Sequence, residues 1–214
     1  MRPFAPEIIT LLLLALAAAS CRTAPSRTGP SIVQPGAPGE ATRRISASEA
    51  VDVSRVQHTD ADVRFMQGMI GHHSQALEMT ALLQSRTTSE QMRRLALRIE
   101  VSQADEIKMM KSWLDSRGVS APDAHAQHMH GATLMPGMLT ADEMTRLAGS
   151  RGPAFDRLFL ESMIKHHEGA LVMVKELFST PGAGQESAIF AFASEVDADQ
   201  RMEINRMRAM LEEF

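Results

Sequence analysis

Two sixteen-residue segments, each with a His-His pair, constrain the fold of this chain more than any other feature. The first, FMQGMIGHHSQALEMT, runs from Phe65 to Thr80, and the second, FLESMIKHHEGALVMV, runs from Phe159 to Val174. Without gaps, residues 62–83 match residues 156–177 at 10 of 22 positions. An internal repeat of this length predicts one structural unit that is built twice.

The spacing of apolar residues gives the class of that unit. Within each copy they recur every three or four positions, which is typical of an amphipathic helix. A second helical pattern follows each copy, and Gln103 and Glu106 of the first correspond to Gln200 and Glu203 of the second. Two helical hairpins predict an all-α four-helix bundle.

Start and stop residues set the expected boundaries. Thr59 or Asp60 can cap the first long helix, which is expected to end near Arg86. Thr140 and Glu143 form a capping box, which predicts a short extra helix in the central connection. The predicted domain, 46–214, then divides into half one (59–118), a connection (119–152) and half two (153–214).

Two further sequence signals mark the starts of other helices. Ser46 and Glu49 can cap a short helix that runs to Val56. Pro153 suits the first turn of the helix that carries the second His-His pair.

A short apolar run precedes the single cysteine of the chain. Residues 8–19 are too few for an ordinary membrane span and fit the core of a signal peptide. The sequence Ala-Ala-Ser-Cys resembles a bacterial lipobox, which predicts a signal peptide over 1–20 and a lipid on Cys21. Residues 21–45 would then be a flexible tether. The alternative is plain secretion after cleavage at a small-residue site. The lipobox and the plain signal peptide both predict export, and the lipobox also predicts a lipid anchor in the cell envelope.

The His-His pairs carry the candidate chemistry. On a helix, Met69 neighbours both His72 and His73, and Met79 lies two turns after His72. Imidazole and thioether groups are ligands that copper prefers. Methionine sulfur selects Cu(I), and histidine binds both Cu(I) and Cu(II). Because imidazole must be neutral to bind, copper affinity is expected to weaken below about pH 6.5. The second copy presents the same set, Met163, His166, His167 and Met173.

The central connection adds further donors of the same kinds. Its composition indicates a metal-binding loop, and the alternative is an ordinary polar loop. The candidate ligands are His125, His128, Met129, His130, Met135 and Met138.

Adjacent residues on a helix point about 100° apart, so the two histidines of one pair face different neighbours. We expect one from each pair to face the pseudo-twofold axis between the two hairpins and the other to face a neighbouring helix, and Glu106 or Glu203 could accept a second imidazole N–H. The alternative is that the histidines only specify the bundle, through hydrogen bonds to Glu106, Glu203, Gln103 or Gln200. A di-iron enzyme requires Glu-x-x-His, but Met69 and Met163 occupy the glutamate positions, so no enzyme is predicted.

The segments FMQGMIGHHSQALEM, MPGML and FDRLFLESMIKHHEGALVM together resemble the domain of unknown function 305 family. The resemblance covers roughly residues 60–214. It implies a ferritin-like helical fold, export and, from some similar proteins, periplasmic copper binding, with no catalytic residues to assign. The predicted function is copper sequestration or handover in the cell envelope. The alternative is a structural or partner-docking module without metal, and a net charge of −4 gives no indication of nucleic-acid binding.

Overall fold

The computed structural model describes residues 32–34, 41–51, 56–122 and 134–214. Its contacts divide the chain into two units, residues 1–52 and residues 53–214. The elements, in chain order, are β1 (Ile32–Gln34), β2 (Arg43–Ile45), α1 (Ala47–Ala50), α2 (Asp60–Ala81), α3 (Leu83–Arg86), α4 (Glu90–Asp115), α5 (Ala141–Gly149), α6 (Gly152–Ser179) and α7 (Ser187–Leu211).

The first unit contains a small antiparallel sheet and one helical turn. Strands β1 and β2 pair with Ile32 opposite Ile45, where the sequence predicted a tether without regular structure. β-Branched residues in both strands favour this pairing. Helix α1 has the predicted capping box of Ser46 and Glu49. It ends at Ala50 rather than running to Val56, and residues 52–55 lie outside the described part of the chain.

The second unit is the predicted all-α four-helix bundle. Helices α2 and α4 pack as one hairpin, α6 and α7 pack as another, and α2 packs against α6 to join them. Helix α5 is the short extra helix of the connection. Among the described residues, no helix combines the length and the apolar character that crossing a bilayer requires.

Local capping explains where these helices begin. The hydroxyl of Thr59 accepts from the backbone N–H of Asp62, and the Asp62 carboxylate accepts from the Thr59 backbone N–H in return. Thr140 and Glu143 make the equivalent pair at α5, as predicted. The first long helix was predicted to continue to Arg86, but the ladder breaks at Leu82. Its N–H reaches the carbonyl of Met79 as well as that of Thr80, which tightens the turn before α3 begins.

The bundle interior consists of two hydrophobic clusters, which we call the Trp113 cluster and the Phe155 cluster after one member of each. The Trp113 cluster contains Phe65, Met69 and Met173, and the Phe155 cluster contains Met79, Phe159 and Met163. The four histidines lie between these residues in the sequences of α2 and α6. The clusters therefore bury the two ends of the α2–α6 pair and leave its polar side chains in the middle.

Candidate metal centre

Four histidines are fully buried in the middle of the bundle. His72 and His73 on α2, and His166 and His167 on α6, each expose 0 % of their surface. A buried polar ring is costly unless its nitrogens find partners. The partners of each ring therefore decide what the ring can do.

His72 and His166, the inner histidines, stack on one another. Their ring centroids are 3.8 Å apart, with an angle of 35° between the ring planes. Nε2 of His72 lies 3.0 Å from the carbonyl oxygen of Pro136, and Nε2 of His166 lies 3.0 Å from the carbonyl oxygen of His72 itself. Because a carbonyl only accepts, each Nε2 must carry the hydrogen. In a neutral ring this leaves Nδ1 with a free lone pair.

His73 and His167, the outer histidines, face carboxylates on the other two helices. Nε2 of His73 lies 2.5 Å from Glu106 on α4, and Nε2 of His167 lies 2.6 Å from Glu203 on α7. The prediction that the two histidines of each pair face different helices is thus confirmed. A carboxylate that accepts a ring N–H fixes the ring and increases the basicity of the other nitrogen.

Nδ1 of every one of these four rings is buried and has no hydrogen-bond partner among the described residues. The side chain of Gln103, one turn before Glu106 on α4, is equally buried and likewise finds none within that part of the chain. A neutral imidazole whose Nε2–H is held by an oxygen, and whose Nδ1 is free, is the form in which histidine binds metals. The donor chemistry therefore fits copper.

The inner rings are held in this neutral form. Burial lowers the pKa of His72 to about 3, with neighbouring His73 acting in the same direction and the Pro136 carbonyl opposing it. Burial, and then His72, lower the pKa of His166 well below 6.5. Inner-ring protonation therefore does not begin near pH 6.5, where the sequence had placed the loss of affinity.

The four rings do not close around one point. Imidazole lone pairs lie in the ring plane, and the planes of His72 and His166 lie at 35° to one another. Within the described residues, no group of three or more His, Cys, Asp or Glu side chains is arranged to hold a metal ion. Firm binding at this layer consequently needs a ring to turn or a methionine sulfur to join.

The predicted methionine ligands lie on both sides of the histidine layer. Met69 and Met173 belong to the Trp113 cluster, and Met79 and Met163 belong to the Phe155 cluster. In the connection, Met138 is buried and Met135 packs against the Trp113 cluster. The remaining candidates, His125, His128, Met129, His130 and the lipidation candidate Cys21, lie outside the described residues.

A short segment of the connection, Leu134 to Leu139, lies across α2 and α6, and we call it the strap. Gln75 fastens it: its amide nitrogen donates to the Leu139 carbonyl at 2.9 Å, and its amide oxygen accepts from the Leu139 N–H at 2.7 Å. Gly137, at a φ of +76°, packs directly on Gly169 of α6. A β-carbon at Gly169 would lie 2.0 Å from the Pro136 carbonyl oxygen.

The strap is the part of the site that the sequence reasoning missed. Pro136 supplies the acceptor for His72 through its backbone, which no side-chain pattern reveals. The repeat gave no signal for it either, because Gln75 and Gly169 are only one of the many aligned pairs that differ between the two copies.

Comparisons with known proteins agree with this architecture. The model of a family described as Domain of unknown function (DUF305) matches residues 62–211. A DUF305 protein of Streptomyces coelicolor, described as secreted, is similar in structure with a TM-score of 0.62 and 32 % identity, over 72 % of this chain and 93 % of that one.

Two structures of the protein CopM are also similar. The Cu(II)-bound form has a TM-score of 0.56 and 25 % identity, over 71 % of this chain and 96 % of that one. The Cu(I)-bound form has the same TM-score and identity, over 73 % and 98 %. A protein of Acanthamoeba polyphaga mimivirus is 40 % identical over 63 residues, which span 29 % of this chain and 41 % of the viral protein.

Proposed function

This chain belongs to the DUF305 family, and we propose that it is an exported protein that binds copper as cargo, for sequestration or handover, without turnover. The observation that carries the proposal is the set of four buried histidines with oxygen-bound Nε2 atoms and unpartnered Nδ1 atoms. Additional support comes from CopM, whose similar fold has been obtained with Cu(II) and with Cu(I) bound.

The residues that would hold copper are the inner and outer histidines, with the methionines on either side. Neutral imidazole accepts both copper ions, whereas thioether sulfur favours Cu(I). Met69, Met79 and Met163 are fully buried, and methionine side chains are flexible enough to swing a sulfur toward a ring. A Cu(I) ion would therefore draw on both kinds of donor, and a Cu(II) ion mainly on the imidazoles.

Export and anchoring are the cellular part of the proposal. The apolar run before Cys21 supports export, as does the similar protein that is described as secreted. We propose that Cys21 is lipidated and holds the domain at the envelope membrane. Cys21→Ala should move the protein from the membrane fraction to the soluble fraction; wild-type protein that is already soluble and starts at another residue would refute the anchor.

Copper titration of the purified protein tests the metal proposal. A chromophoric chelator competes for the ion, and the wild type is compared with a His72→Asn/His166→Asn variant. Because two neutral nitrogen donors are lost, copper affinity should fall at least about 100-fold. His58→Gln is the matched control, since this half-buried ring packs edge-on against Trp113 and is not among the proposed ligands. A wild type without stoichiometric copper binding refutes the proposed function.

A metal-free helical module is the competing candidate. It is favoured by the hydrogen bonds that all four Nε2 atoms already make, since satisfied polar layers can fix the register of a bundle without any ligand. Under this alternative, the His72→Asn/His166→Asn variant loses thermal stability but the wild type takes up no copper.

A further inference from the structure

Two methionines from different parts of the chain converge on Gly68 of α2. A β-carbon at Gly68 would lie 3.0 Å from the sulfur of Met135 on the strap and 3.4 Å from the terminal methyl of Met173 on α6. A side chain at this position would crowd the end of the Met135 side chain, so glycine gives both thioethers the most room. The convergence is therefore built from three separate elements.

The two methionines also line a cavity that opens to solvent. Its volume is about 260 Å³, and its wall includes Arg64, Gly68, Met135, Met173 and Glu176. By contrast, all four histidines are fully buried. An ion that arrives from solvent cannot meet a buried ring first, but it can reach the Met135 and Met173 side chains that line this cavity.

The chemistry of two thioethers selects the ligand. Thioether sulfur is soft and uncharged, so it binds Cu(I) and Ag(I) in preference to Zn(II) or Cu(II). We propose that Met135 and Met173 form a separate site for a soft monovalent ion at the cavity beside Gly68, where copper first enters the protein. This inference rests on the proposed function, because it names the entry point for the same cargo.

The strap holds this site next to the histidine layer. Met135 directly precedes Pro136, whose carbonyl accepts the hydrogen of His72. The strap itself is fixed by Gln75 at Leu139 and by the Gly137–Gly169 contact. The proposed entry ligand Met135 is therefore the direct neighbour of Pro136, the residue that orients His72.

The other end of the bundle offers a matched control. Met92 and Met207 are buried among the residues of the Phe155 cluster, at 1 % and 0 % exposure. They are the same residue type as Met135 and Met173, lie on α4 and α7, and are not among the proposed copper ligands. A Met92→Leu/Met207→Leu variant removes as much sulfur as a Met135→Leu/Met173→Leu variant and preserves side-chain volume equally well.

The experiment follows the methionine methyl groups by NMR during titration with Ag(I). In the wild type, the signals of Met135 and Met173 should shift first, before those of Met79 and Met163. Met135→Leu/Met173→Leu should weaken the first Ag(I) binding step at least about tenfold, and the control variant should change it less than about twofold. Gly68→Ala, which keeps both sulfurs but crowds that of Met135, should weaken it about threefold.

The outcomes separate this inference from the proposed function. In the His72→Asn/His166→Asn variant, the early methyl shifts of Met135 and Met173 should persist, which would establish a distinct site. If a wild type that binds copper shows no early shift at these two methyls, or if the double leucine variant keeps full Ag(I) affinity, the entry site is refuted and the histidine site stands. If the wild type binds neither ion, both are refuted.

Discussion

The inner and outer histidines are adjacent in sequence, yet their environments differ in almost every respect. His72 and His166 stack on each other and donate to backbone carbonyls. His73 and His167 donate to carboxylates that retain 19 % and 13 % exposure. The same dipeptide thus supplies two kinds of imidazole, and the packing partner of each ring decides its chemistry. A motif search alone would treat the four residues as equivalent.

The inner pair differs within itself as well. His72 donates to the strap, whereas His166 donates to the backbone of His72. The strap therefore supports only one inner ring directly, and the other is supported by α2. The outer pair lacks this asymmetry, because each ring meets a glutamate at the corresponding place of its own hairpin.

The largest expected effect comes from displacing the strap, which bears on the inner pair alone. Gly169→Ala places a β-carbon 2.0 Å from the Pro136 carbonyl oxygen, so the strap must move and His72 loses its acceptor. We expect the free energy of unfolding to fall by about 3 kcal/mol in urea denaturation. Gly149→Ala is the control, since a β-carbon at Gly149 would meet no other atom within 4 Å. Equal stability of the two variants would contradict the strap contact.

Acid should separate the inner pair from the rest of the protein. His72 has a pKa of about 3 when folded against 6.5 when unfolded, so between these values only the unfolded chain takes up the proton. Its contribution is therefore complete above pH 6.5 and is lost as the pH falls. When the pH falls from 7 to 5, the titration of His72 should lower the free energy of unfolding by about 2 kcal/mol. His72→Asn should lose that much less stability over the same interval; parallel curves for the two proteins would refute the assignment.

The outer pair is probed through its carboxylates. Glu106→Gln and Glu203→Gln keep a hydrogen-bond acceptor for each ring but remove the charge that increases the basicity of Nδ1. Copper affinity should therefore fall about tenfold in chelator competition. Glu100→Gln, on the exposed face of α4, is the control. An unchanged affinity in the Glu106 and Glu203 variants would show that the outer rings do not contribute to copper binding.

The smallest effect is expected at Asp199, which lies near both outer carboxylates. Burial and then the charges of Glu106 and Glu203 raise the pKa of Asp199, so its charged form is disfavoured in the folded state. Asp199→Asn should stabilise the protein at pH 7 by about 0.3 kcal/mol, because solvent screens an exposed carboxylate. In high salt the part of the gain that comes from the charges of Glu106 and Glu203 should disappear, and the part that comes from burial should remain. A loss of stability would indicate that Asp199 supports the outer pair instead.

The repeat and the helical periodicity were sufficient to predict the bundle, and 3.6 residues per turn were sufficient to predict that the two histidines of each pair face different neighbours. Which histidine faces the opposing helix and which meets Glu106 or Glu203 depends on the packing of the bundle. The strap was not predictable, because its hydrogen bonds use the backbone of Pro136 and Leu139, and backbone groups are identical in every sequence. The pairing of β1 with β2 was missed because the surrounding Pro and Gly residues dominate the composition of that stretch.

The separation of bonded partners along the chain has a consequence for the order of folding. The outer bonds join residues 33 and 36 positions apart, within one hairpin. The strap bonds span 64 positions, and the bond between the inner histidines spans 94. Longer loops close later, so each hairpin can complete its own His–Glu pair before the inner layer exists. Substitutions in the strap should therefore accelerate unfolding and leave the refolding rate nearly unchanged.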